Sequence, residues 1–354
     1  MSTIINRDKK IKTPKFDVAS PAFAYPLFII VFMLLGINGM TVLSASLFIV
    51  FIASFLAGFH FGRPGEKVRY PLVWRLGLPL FLVGAAAEFI NIVYVDSIPL
   101  LVPTMRSRMI PALAYLSFLI VPACIIKISD CLLNKRDKEA LIWLFSGTFL
   151  ISLLGYRTEI YALLLGAGIS TYYIRWNKIK RNTAIKYGAV FAFLFILLNL
   201  VVVLFREAPL GTVMDRFSFT TYVFSSLVDS MGISLFGHSG GLIHASILSS
   251  LRIIPGPTTG PRTFVSQLIG VGVGSTTPTI IGIPYLDYGI FGIILTGIIL
   301  GLLFGSGYKM LKRGDVDILP VHALCTAFLL ITVETGIADV IVLLYLIAYL
   351  VMIV

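Results

Sequence analysis

The stretch Leu153–Leu165, LLGYRTEIYALLL, joins two strongly apolar runs through a connector only a few residues long. Each flanking run is about as long as a helix needs to cross a bilayer's ~30 Å hydrocarbon core. The stretch therefore reads as the turn of a transmembrane hairpin, with helices over 140–156 and 158–174. It also places Arg157 and Glu159 beside the apolar zone, where charges are costly unless something uses or satisfies them.

The same pattern repeats outward along the chain. Of the 354 residues, 58% are hydrophobic and 13% charged, far more apolar surface than a soluble core of this size needs. Further apolar runs predict helices at 22–39, 42–60, 74–94, 109–128, 187–205, 284–305, 318–334 and 337–354. The fold class is an all-α polytopic membrane protein with about ten transmembrane helices, forming a single transmembrane domain over 1–354. The first apolar run follows a polar, basic leader without a small-residue cleavage site, so it reads as a retained helix.

Charge sets the orientation. Basic connectors at 1–20, 61–75, 127–138, 175–186 and 309–313 hold 21 of the 28 Lys and Arg residues. They fall at every second connector, which makes them cytoplasmic and puts both termini inside the cell membrane. With the acidic residues in and beside them, these connectors carry a net charge of +13, and the rest of the chain −2. The overall charge of +11 thus marks topology. It forms no basic groove with interleaved aromatics, so a nucleic-acid partner is not expected. The three cysteines have no metal-ligand spacing and read as small buried hydrophobes.

Two stretches remain on the outer side, a short one near 95–108 and a large one over 206–283. The latter is too long for an ordinary loop and too apolar for disorder. FSFTTYVFSSLVDSMGISLF and LIHASILSSL within it suggest interfacial or re-entrant helices, and spanning by both would raise the helix count to twelve. The Gly/Pro/Thr-rich tract that follows suits a cavity wall, since irregular backbone at membrane depth survives only there or buried in protein.

The seven basic residues outside the cytoplasmic connectors are Arg106, Arg108, Arg157, Arg206, Arg216, Arg252 and Arg262. All are arginine, while all thirteen lysines are cytoplasmic. Chance would give that split roughly once in 180 shuffles, and the guanidinium's planar fork is the difference that matters. Arg157, Arg206, Arg252 and Arg262 are candidates to hold a diphosphate through paired hydrogen bonds. Arg106 and Arg108 fit helix-end snorkelling equally well, and Arg216 fits local pairing with Asp215. His238, in a Gly/Ser-rich turn, is a candidate proton carrier, whereas His244 lies on an apolar helical face and reads as structural. The carboxylates that could face the same space are Glu88, Glu159, Glu207, Asp287 and Glu334, and of these Glu159 and Asp287 are the catalytic candidates. Glu88, flanked by small residues, suits helix–helix contact.

Some motifs mislead. Asp315–Val316–Asp317 has the look of a metal- and nucleotide-sugar-binding acidic pair, but sits in a short cytoplasmic connector with no nucleotide fold beside it. GVGVG at 270–274 follows no βαβ pattern. No metal or cofactor is expected.

GYRTEIYALLL resembles the arginine-bearing turn of the oligosaccharide repeat unit polymerases, the Wzy-type O-antigen polymerase family, and GSTTPTIIGIPYLDYGIFG at 274–292 resembles that family's Ser/Thr-Thr-Pro stretch. The resemblance covers about 140–310. It implies a GT-C-like integral-membrane glycosyltransferase, metal-independent, with a large outer segment before its last three helices. It would join polyprenyl-diphosphate-linked oligosaccharides on the outer face of the cytoplasmic membrane, in the company of a chain-length regulator and a flippase. Arg157 would hold a phosphate, with Glu159 orienting it or polarising the acceptor. A polysaccharide ligase would need the same arginines. A lipid-oligosaccharide or anion transporter would instead show inverted repeats and charge near the midplane, and neither is evident.

Overall fold

The computed structural model describes residues 17–66, 70–175, 212–250, 255, 260–271, 276–337 and 340–354. All their regular structure is helical: α1 Pro21–Leu35, α2 Val42–Phe61, α3 Pro71–Val95, α4 Pro111–Ser117, α5 Ile120–Leu133, α6 Asp137–Leu154, α7 Arg157–Arg175, α8 Thr212–Met231, α9 Leu242–Ser250, α10 Pro261–Leu268, α11 Thr279–Lys312, α12 Leu319–Thr335 and α13 Val340–Ile353.

Among the described residues, five segments are long and apolar enough to cross a membrane: Val42–Phe61, Pro71–Val95, Pro111–Leu133, Thr279–Lys312 and Val316–Thr335. Pro21–Leu35 and Val340–Ile353 are apolar but shorter, and α6 and α7 have 18 and 19 residues. The chain is a multi-pass, all-helical membrane protein. The predicted helix at 187–205 lies outside the described residues; the other predicted helices coincide with helices here, except that 109–128 falls on two, α4 and α5. Prolines open α1, α3, α4 and α10, where the missing N–H would be unpaired anyway. Gly155, at φ 68°, ends α6, and only Tyr156 separates it from α7.

The chain divides into two compact units. The first takes Met1–Ala19, Glu66–Pro209 and Met310–Ala327. Its centre is α5, against which α3, α6 and α7 pack and whose residues are nearly all buried. Ser129 on α5 donates to Ser170 on α7 at 3.0 Å. Asp317 accepts the Trp74 indole N–H at 2.7 Å and the Tyr70 backbone N–H at 3.0 Å, fastening the start of α3. The Asp-Val-Asp motif is thus a fastening here.

The second unit takes Ser20–Gly65, Leu210–Lys309 and Phe328–Val354. Its spine is the contact between α2 and α11, which run in the same direction. Gly297, Gly301 and Gly305 recur every fourth residue, on one face of α11. A Cβ at Gly301 would fall 2.2 Å from the Phe55 carbonyl oxygen, and one at Gly305 2.3 Å from that of Phe59. From the other side, a Cβ at Gly58 would fall 2.3 Å from the Ile298 carbonyl oxygen. Backbone meets backbone, as small residues permit in membranes.

α8 lies over the turn joining α1 to α2. Phe217 stacks on Phe32, the Thr221 hydroxyl donates to the Gly36 carbonyl at 2.6 Å, the Ser225 and Ser44 hydroxyls lie 2.8 Å apart, and Phe224 stacks on Phe48. Nine residues of α8, Phe217 to Ser225, therefore step from α1 through the turn onto α2. With Asp215, Arg216 and Asp229 within it, α8 is too polar to count as a span. Val223, Leu227, Ile243, Val265, Ile283 and Leu286 form a shared core that ties α8, α9 and α10 to the start of α11.

Candidate functional site

The second unit carries the site. α11 contains Pro284 and breaks at Gly289, whose φ of 63° and ψ of −147° only glycine adopts readily. The break leaves backbone groups without helical partners, and the loop after α8 supplies them. Ile290 N–H donates to the Ser234 carbonyl at 3.0 Å and Phe291 N–H to that of Leu235 at 3.1 Å. In return, His238 and Ser239 N–H donate to the Leu286 carbonyl at 2.8 and 3.1 Å.

This arrangement encloses Asp287, which has no exposed surface. Its Oδ1 accepts from the Ser239 hydroxyl at 2.5 Å and from Ile243 N–H at 3.0 Å. Its Oδ2 accepts from His244 N–H at 2.8 Å and is bonded to His244 Nδ1. Two of those donors are first-turn amides of α9, so Asp287 caps that helix from a distant point in the chain, at the positive end of its dipole. The fourth contact fixes the His244 ring, which also lies against the Tyr288 ring, centroids 5.6 Å apart. With Nδ1 held by a carboxylate, Nε2 is the imidazole nitrogen left to exchange a proton. A base oriented by a buried carboxylate is the arrangement that activates a hydroxyl.

His244 also stands at one end of an apolar groove of about 920 Å³. That groove begins at His244, Ile283 and Pro284, follows α11 past Thr296 and ends at Arg63 and Val354. Ile283 and Pro284 belong to the Gly/Pro/Thr-rich tract expected to wall a cavity.

The other candidates are placed as follows. His238 is exposed on the loop and meets Asp287's neighbour through its backbone, so the imidazole that faces the carboxylate belongs to His244 and not to His238. Arg262, on α10, donates to the Thr335 carbonyl at 3.2 Å, and Arg216 pairs with Glu334. The partner of Arg216 is therefore Glu334 rather than the adjacent Asp215, and both arginines gather at the end of α12. Arg206 and Arg252 lie outside the described residues.

Arg157 and Glu159 belong to the first unit, in the opening turn of α7, with Glu159 buried. The turn beside them is held by Arg106, which donates to the Gly155 carbonyl at 2.6 Å and lies 5.4 Å from the centroid of the Tyr156 ring. Arg106 therefore fastens the Arg157 turn instead of snorkelling. Glu88 is buried in α3, and neither carboxyl oxygen has a hydrogen-bond partner. Cys124, Cys131 and Cys325 are all buried, and none of them is joined in a disulfide. Among the described residues, no group of three or more His, Cys, Asp or Glu side chains is placed to hold a metal ion.

Sequence reasoning missed His244 because its partner lies 43 residues downstream. The available signal was indirect: a Gly/Ser turn opening a short helix, and a lone aspartate two residues before a glycine within an apolar run.

An uncharacterized protein of Methanocaldococcus jannaschii is 29% identical over 323 residues, covering 89% of this chain and 88% of that protein. No solved structure matches the chain. The model of the family described as "Putative O-antigen polymerase" matches residues 17–346, nearly the whole chain, and the protein belongs to that family.

Proposed function

We propose that the protein lengthens a surface polysaccharide by joining polyprenyl-diphosphate-linked oligosaccharide units at the outer face of the cytoplasmic membrane, without a metal. The observation that carries this reading is the His244–Asp287 pair at the mouth of an apolar groove. In the transfer, an acceptor-sugar hydroxyl oxygen attacks the anomeric carbon of the donor. The bond from that carbon to the phosphate oxygen breaks, and the lipid diphosphate leaves with the electron pair. His244 Nε2 takes the hydroxyl proton, and Asp287 stabilises the imidazolium that results. His238, on the same loop, faces the sugars. Arg262, in the same unit as His244, holds the diphosphate as its charge develops; Arg157, Arg206 and Arg252 are proposed for the same role from residue type alone. Glu159 orients Arg157.

The test uses purified protein in vesicles with lipid-linked repeat units, scored for elongated product by gel. His244→Ala is expected to lower elongation by about 10²–10⁴-fold, the usual contribution of general base catalysis. Elongation within a few-fold of wild type by a correctly folded His244→Ala protein would overturn the assignment. In cells, a deletion strain that caps its surface with single repeat units supports a polymerase. An intact ladder that is made but not attached indicates a ligase.

A further inference from the structure

The groove beside His244 has a property that the transfer reaction does not require. Its lining runs along α11 from Ile283 past the break at Gly289 to Ser306, and the unbroken helix after the break alone gives a path of roughly 26 Å at 1.5 Å rise per residue. That approaches the full ~30 Å hydrocarbon thickness of a bilayer, about twice the depth of one leaflet. At the far end, opposite the dyad, stand Phe61, the last residue of α2, Gly65 in the segment after it, and Ile353 and Val354 at the end of α13. The wall between is supplied by apolar side chains such as Leu303, Leu346 and Leu350.

A diacyl lipid lying in one leaflet would fill only half of such a groove. A single apolar chain long enough to pass the midplane would fill all of it, with its polar end at His244. We propose that the groove holds the polyprenyl chain of the substrate along its whole length, so that the protein selects lipid carriers by chain length. This deepens the polymerase reading and rests on it for the identity of the lipid. The mid-groove position Thr296 is where a long and a short chain part company: a two-isoprene chain anchored at His244 ends before it, and a full-length chain continues beyond.

Two measurements test this. The first is binding: a full-length polyprenyl phosphate with a photoreactive group at its ω end, in vesicles with the wild-type protein. Adducts at residues 63–65 or 350–354 are expected. Adducts scattered over other lipid-facing helices would overturn the proposal. The second is kinetic and compares donors with a full-length or a two-isoprene chain. Wild type should prefer the long chain by about tenfold or more, and Thr296→Trp should remove that preference, read as the ratio of the two elongation rates in one preparation. Ile347→Trp, at a more exposed position on the same groove, repeats the test should Thr296→Trp fail to fold. Equal use of both donors by wild type would overturn the proposal. Far-end adducts in a protein that elongates neither donor would uphold the groove and overturn the polymerase reading alone.

Discussion

Asp287 accepts from two amides, a hydroxyl and an imidazole, and asparagine cannot reproduce that pattern. Its NH₂ must face either the Ser239–Ile243 side or the His244 side, and it accepts from neither. Facing His244, it forces the proton onto Nε2 and removes the base. Asp287→Asn should therefore cost about 1–3 kcal/mol of stability and lower elongation by about 10²–10⁴. Thermal unfolding and elongation measured on one preparation separate the two effects. Arg157→Lys keeps a charge but loses the fork. If Arg157 clamps diphosphate, elongation should fall by about 10²–10³, while Arg108→Lys is nearly silent. Near-normal elongation by Arg157→Lys would reduce this arginine to a snorkelling residue. The arginines were visible in the sequence because a bias for one residue type is a local property. The dyad was not, because a hydrogen bond spanning 43 residues leaves no periodicity to read.

At the scale of elements, apolar length placed the long apolar helices to within about seven residues at either end, since it is a short-range property, whereas α10 and the first turns of α11 lie in the Gly/Pro/Thr-rich tract read as irregular. The break in α11 was hidden: Gly289 lies in an unbroken apolar run, and only the loop that completes its hydrogen bonds reveals it. The glycine stripe was equally visible and equally unread, because α2, its partner, lies more than 200 residues away. Gly301→Leu places a side chain where even a Cβ would meet the Phe55 carbonyl oxygen at 2.2 Å. It should cost about 3 kcal/mol or more, seen as a lower unfolding temperature in detergent, with Gly260→Ala, where a Cβ would meet nothing, as the silent control. Asp317→Ala releases Trp74 and Tyr70 and should destabilise by about 1–3 kcal/mol, with elongation per folded molecule unchanged and insensitive to chelators. Loss of elongation at normal stability would return the Asp-Val-Asp motif to the chemistry.

For the molecule as a whole, orientation is the testable quantity. The native cysteines are buried, so a cysteine at Phe236, which is 77% exposed, gives a clean signal. Phe236→Cys should react with an impermeant maleimide in intact cells, and Lys312→Cys only after the membrane is opened. The reverse pattern would invert the threading and carry the dyad to the cytoplasmic side. The glycine contact between α2 and α11 also bears on how the chain is made. Gly58 and Gly301 lie 243 positions apart, so at 5–20 residues per second α2 enters the bilayer some 10–50 s before its neighbour exists. Throughout that interval its bare backbone face is covered by lipid alone. The first unit takes α3 to α7 in immediate succession, so its α5-centred core can assemble while the ribosome is still working, with Met310–Ala327 added later. The second unit, and the dyad with it, can close only near the end of synthesis, so the nascent protein acquires its chemistry last.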